Sequence, residues 1–210
     1  MKTRLLIQLS LLLPLQCLPY ARAEQADDAA LHAAAERVAV TTCATCHGPE
    51  GHSYSPKFPV LAGQHPGYLL AQLQAFRAQS RGDADALGYM WGMAAPLDDS
   101  MMSALADYYS HQVPRRGPPG DARIIERGKA IYQSGDSASG VPACAACHGA
   151  TAEGTEAFPR LAGQHVQYLI KQLRSFQNNM RNVAVMHGVA RSLQLADMEA
   201  IANYLQSLGP

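Results

Sequence analysis

The chain has no cysteine to spare for a structural disulfide. Of its five cysteines in 210 residues, four stand in two matching clusters and the fifth, Cys17, lies in an apolar run near the start. A disulfide-stapled secreted scaffold is thereby excluded. Strand patterning is missing too, because no useful length of sequence alternates apolar and polar residues. Basic residues are neither in excess nor clustered: Lys and Arg number 17, as do Asp and Glu. Such a balance argues against nucleic-acid binding. Residues 5–18 form the one long apolar run, and at 14 residues it is too short for a confident membrane span.

That run is better read as export machinery. Lys2 and Arg4 precede it and Ala21-Arg22-Ala23 follows it, so residues 1–23 are expected to be a signal peptide cleaved before Glu24. Lipidation of Cys17 is disfavoured, since Pro14-Leu15-Gln16 is a poor approach to a lipidated cysteine. The remaining 187 residues carry 14 basic and 17 acidic side chains, a net charge of −3. The imbalance is local: residues 24–113 sum to −6 and residues 121–210 to +1. Such a dipole can orient an encounter with a charged partner.

The four remaining cysteines are Cys43-Ala44-Thr45-Cys46-His47 and Cys144-Ala145-Ala146-Cys147-His148. C-x-x-C-H is the attachment signature of c-type haem. Two thiols three residues apart on one helical turn can each add across a porphyrin vinyl group, and the next histidine then lies under the iron. Zinc or dithiol-exchange chemistry would use the thiols but leave the adjoining histidine unexplained. Two covalently bound haem c groups are therefore expected, with His47 and His148 on iron.

The surroundings repeat as well. Residues 58–81 match residues 158–181 at a constant offset of 100, with 13 of 24 positions identical, beginning Phe58-Pro59-Val60-Leu61-Ala62-Gly63-Gln64-His65. This is a tandem duplication of a unit of about 90 residues. Residues 24–113 are the expected first domain and 121–210 the second. Residues 114–120, rich in proline and glycine, form a fairly stiff linker. Both units read as all-α. Residues 31–40 and 123–132 are expected to lead by helix into the two haem motifs. Tyr68, Leu69, Leu73 and Phe76 share one helix face. Asp98 or Asp99 can cap the last helix of the first unit, whereas Gln194 is a poorer cap for the second.

A second axial ligand must come from elsewhere, and its identity sets the chemistry. The final helices align at an offset of 96, which pairs Met90 with Met186, each seven residues before a leucine. A thioether is a soft ligand that favours ferrous iron. Met93 is the rival of Met90, but its partner at that offset is Val189, which cannot ligate. His65 and His165 also repeat; following Gly-Gln at a helix start, they read as capping or surface residues. His187 aligns with Trp91 and so lacks a repeated role. Iron-bound imidazoles usually donate their other N–H to a carbonyl, and Pro59 and Pro159 are the expected acceptors.

With C-x-x-C-H, then F-P-x-L-A-G-Q, then methionine and a closing helix, all twice, the chain resembles the dihaem cytochrome c4 family over nearly all of residues 31–208. The resemblance implies two tandem class I cytochrome c domains, each wrapped around one covalently attached haem, with the haem edges close across their interface. It implies thioethers at Cys43, Cys46, Cys144 and Cys147. His47 and His148 would be proximal ligands and Met90 and Met186 distal ones, with the Pro59 and Pro159 carbonyls bonded to the histidines. It further implies an electron carrier of the bacterial periplasm, often loosely held at the membrane. Its partners would be a cytochrome bc complex or other donor and a terminal oxidase or other acceptor.

Two departures stand out. Eight residues separate Arg81 from Met90, against four between Arg181 and Met186, and Arg127-Gly128-Lys129 has no counterpart in the first unit. With the uneven charge, these imply unequal haem potentials. Three competing readings use the same motifs: a peroxidase-like dihaem enzyme, a thiosulfate-oxidising one, or a haem subunit of an oxidoreductase complex. The enzymes need an open iron site, and a methionine in each unit argues against one.

Overall fold

The computed structural model describes residues 18–210, with side chains from Asp27 onward. Lys2, Arg4 and the apolar run up to Cys17 lie outside the described residues. Ten α-helices follow, and among the described residues there are two isolated β-bridges but no strand. No described helix is long and apolar enough to cross a membrane.

Each repeat is built the same way. In the first, α1 (Leu18–Val38) and α3 (Pro66–Arg77) pack on α5 (Asp99–Ser110), with α2 (Ala44–His47) and α4 (Trp91–Ala94) between them in sequence. In the second, α6 (Ala122–Ser134) and α8 (Val166–Gln177) pack on α10 (Leu195–Ser207), and α7 (Ala145–His148) and α9 (Ala184–Ala190) complete the set. Ala35, Ala39, Leu105 and Tyr109 fill the first helix crossing; Ile131, Tyr132, Met198 and Ile201 fill the second.

The two crossings are made differently. Gly128 on α6 touches the α10 backbone, and a Cβ there would lie 1.9 Å from the Ala200 carbonyl oxygen. That contact is the physical content of the Arg127-Gly128-Lys129 departure. The first domain uses alanine instead, with Ala35 fully buried. Asp98 caps α5 by accepting the Met101 N–H at 2.7 Å. Gln194 is a better start for α10 than its type suggests, because Asp197 accepts its backbone N–H.

The approach to the second haem motif departs from the sequence expectation. In the first domain the helix continues as a π-helical turn, Ala39–Cys43, directly into α2. In the second, α6 stops at Gly135, which has φ +72°. The chain then makes a loop closed by Asp136 and Val141 before reaching Cys144.

The linker is seated, not free. Gly117 donates to the Gln206 carbonyl at 3.0 Å, and Gln206 reaches back to the Pro118 carbonyl. Gly163, at φ +77°, is crossed so closely that a Cβ would meet the Arg115 carbonyl oxygen at 2.3 Å.

Candidate redox sites and the surface between them

Both C-x-x-C-H segments end in a one-turn helix that buries its histidine. His47 is 7% exposed and His148 is 6%. Burial pushes both imidazoles below the ordinary histidine pKa, against the upward pull of a carbonyl hydrogen bond. Both rings are therefore neutral at neutral pH. His47 Nδ1 lies 2.9 Å from the Pro59 oxygen, and His148 Nδ1 lies 3.0 Å from the Pro159 oxygen. A carbonyl only accepts, so each Nδ1 carries the proton and each Nε2 keeps a free lone pair. Phe58 and Phe158 stand edge-on to these rings, at 6.2 and 6.0 Å. Cys43, Cys46, Cys144 and Cys147 are free and half-buried. Burial pushes the Cys144 thiol up to about 11 and raises Cys43 as well.

Met90 ends a second π-helical turn, Ala86–Met90, and Met186 lies in the first turn of α9; both are half-buried. Met93 is 42% exposed. The apolar residues three and one before each methionine are exposed in both repeats: Leu87 and Tyr89, Val183 and Val185. Paired apolar exposure beside a thioether is what a porphyrin face would cover. This donor set, with two thiols, a neutral imidazole, a thioether and an apolar wall, fits haem c.

Trp91 and His187 turn out to share a role. Trp91 Nε1 donates to the Arg81 carbonyl at 2.8 Å, and His187 Nδ1 donates to the Phe176 carbonyl at 2.9 Å. Each ties the segment after its methionine back toward α3 or α8. Unlike side chains do the same work, so residue identity gave no signal.

The repeated glutamine and histidine have a function that residue type alone did not reveal. Gln164 pairs with both main-chain groups of Val60, at 2.9 Å each. Gln64 does the same to Arg160, at 2.9 and 2.8 Å. His65 Nε2 donates to the Glu153 carbonyl and His165 Nε2 to the Ser53 carbonyl, both at 2.9 Å. These two histidines are neither distal ligands nor simple caps; they join the domains. Arg81 and Arg181 cross at the centre of the same surface. Arg81 donates to Gln72 and Gln172, and Arg181 donates to the same two side-chain oxygens, at 2.8–3.0 Å. The contacts are reciprocal, as in a two-fold dimer.

The cytochrome c family model matches residues 32–112 and 125–209, one match per repeat. Cytochrome c4 of Azotobacter vinelandii is 38% identical over 191 residues, covering 86% of this chain and 90% of that protein. The chain belongs to the cytochrome c4 family. The solved cytochrome c4 of Acidithiobacillus ferrooxidans superposes with a TM-score of 0.76 at 41% identity, covering 79% of this chain and 98% of that one. A protein of Thiomonas intermedia described as a thiosulfate dehydrogenase electron acceptor is 36% identical, covering 80% of each chain. As a cytochrome c4, the protein is an all-α, two-domain electron carrier with two covalently bound haem c groups, not an enzyme.

Proposed function

We propose that this cytochrome c4 is exported to the periplasm and relays electrons between respiratory-chain partners, toward a terminal oxidase. Residues 24–113 and 121–210 are the two redox domains, joined by residues 114–120. Cys43 and Cys46, and Cys144 and Cys147, hold the porphyrins as thioethers. His47 and Met90 bind one iron; His148 and Met186 bind the other. When bound, haem c supplies a one-electron couple whose saturated iron leaves no place for a substrate.

The protein's own part is orientation. Pro59 and Pro159 hold the Nδ1 proton of each histidine, which fixes ring direction and basicity. The observation that carries the reading is the coupling of these prolines to the interface. Val60 and Arg160, the next residues, are those clasped by the opposite domain's glutamine. Each redox site is thus positioned by both domains, as relay between two haems requires. The Ala21-Arg22-Ala23 junction and the basic, apolar leader support export.

A second reading keeps the chemistry and changes the donor: a thiosulfate-oxidising enzyme would pass its electrons to this chain. The Thiomonas relative favours it. Stopped-flow mixing separates the two readings. Fast oxidation of the reduced protein by oxidase-containing membranes supports the respiratory assignment. Fast reduction by thiosulfate plus its dehydrogenase, with no reaction at the membranes, supports the second.

A further inference from the structure

In the first domain, the segment behind His47 and the segment that carries Met90 meet side by side. Lys57 precedes Phe58 and Pro59, the two residues placed against the His47 ring. Its Nζ donates to the Tyr89 hydroxyl at 2.5 Å, and Tyr89 directly precedes Met90. The Phe58 and Tyr89 rings stand edge to face, with centroids 5.7 Å apart.

A residue of the second domain closes over this junction. Lys171, on α8, pairs with Asp85 in the segment that leads to Met90. The same ammonium donates to the Lys57 carbonyl at 3.1 Å. The Asp85 charge also acts on the Lys57 ammonium. One carboxylate, two ammoniums, a phenol and a carbonyl thus form a single network, which holds its members more firmly than separate pairs at a partly exposed surface would. The second domain takes hold of this segment once more upstream, where the Gly82 N–H donates to the Met180 carbonyl at 3.0 Å. Ala71 and Ala157 stand at the repeat positions of Lys171 and Lys57, so neither can build this clamp at the second site.

We propose that Lys171 is a positioning residue for the first redox site, supplied by the other domain. Its ammonium clamps the segment carrying Met90 onto the segment carrying the His47 acceptor and keeps the first iron closed while the domains are docked. Parting the domains withdraws the ammonium, and the first iron then opens to an outside ligand. This inference rests on the ligand assignment proposed above.

The test is the uptake of imidazole by the ferric holo-protein at fixed pH, followed at each haem by its methyl proton resonances. Met186→Ala marks the signals of the second haem. An outside ligand enters only as fast as the methionine leaves, so the rate reports how firmly that methionine is held. Lys171→Met should speed uptake at the first haem about fivefold, the upper end for a partly exposed ion pair, and leave the second unchanged. Lys171→Arg should restore the slow rate. Asp85→Asn should match Lys171→Met, and the two combined should do no more than either alone. Unchanged uptake at the first haem in Lys171→Met overturns the proposal. So does equal acceleration at both haems with a lowered melting temperature, the mark of a merely structural role. If Lys171→Met fails to load two haems, Asp85→Asn decides alone. Missing methionine–iron bands in the unmodified protein would instead refute the ligand assignment, and this inference with it.

Discussion

Gln164 clasps Val60 across the domain interface, donating to its carbonyl and accepting its N–H, both at 2.9 Å. Val60 follows Pro59, whose own carbonyl lies against His47. The Pro59 C=O and the Val60 N–H belong to one peptide unit, so one side chain of the second domain is a single peptide from the imidazole of the first. Gln164→Ala should cost about 1–3 kcal/mol by leaving polar main-chain groups unpaired. Faster amide exchange at Val60, together with a lowered melting temperature, checks it. Adding Gln64→Ala should split one melting transition into two.

The methionine assignments are separable. Met90→Ala should remove the methionine–iron charge-transfer band of one ferric haem and open that haem to carbon monoxide. Met186→Ala should do the same to the other. Met93→Ala should leave both bands in place. Visible spectroscopy of the three variants checks the set.

Gly128→Ala is the sharpest test of the fold. Its Cβ would meet the Ala200 carbonyl oxygen at 1.9 Å, and both atoms belong to packed helices. The α6–α10 crossing must open, so a loss of about 3–5 kcal/mol is expected. Thermal unfolding should show the shared transition lowered at both haems, with amide exchange rising most across α6 and α10.

Acid should loosen the interface through His165. Burial holds its pKa below the ordinary histidine value, against the upward pull of the Ser53 carbonyl. Undocked, the ring takes its proton near pH 6.5; docked, it resists until lower pH. Docking stability is therefore full above about pH 6.5 and falls as the pH drops below it. The slope of interface stability against pH between about 7 and 5 should flatten in His165→Gln. Asp83 adds a second loss at lower pH. Burial raises its pKa, but the Arg81 hydrogen bond and charge outweigh that and hold it below the usual carboxylate value. Its contribution is present above the unfolded pKa, about 3.9, and is lost as pH falls through the lower folded value.

Much of this architecture was legible because the chain repeats itself. Helical spacing and the matched Cys-x-x-Cys-His segments gave the all-α, two-domain plan, and family membership and fold agree with it. Other features were hidden for physical reasons. Gln64, His65, Gln72 and Arg81 look like ordinary solvated residues, because a polar side chain does not reveal that its partner lies about 100 residues away. Their one signal was identity in both repeats. Trp91 and His187 were obscure for the opposite reason, since different rings make equivalent hydrogen bonds. The break of α6 at Gly135 was masked by the strong helical pattern just before it.

In the proposed assembly, two closed, methionine-ligated haem sites face one interface. Spectroelectrochemical titration of the mature holo-protein tests it most directly. The expected result is two haems per chain, a methionine–iron band for each, no carbon monoxide binding at either, and two resolved one-electron steps. One haem per chain, or an open iron that binds carbon monoxide, would contradict it.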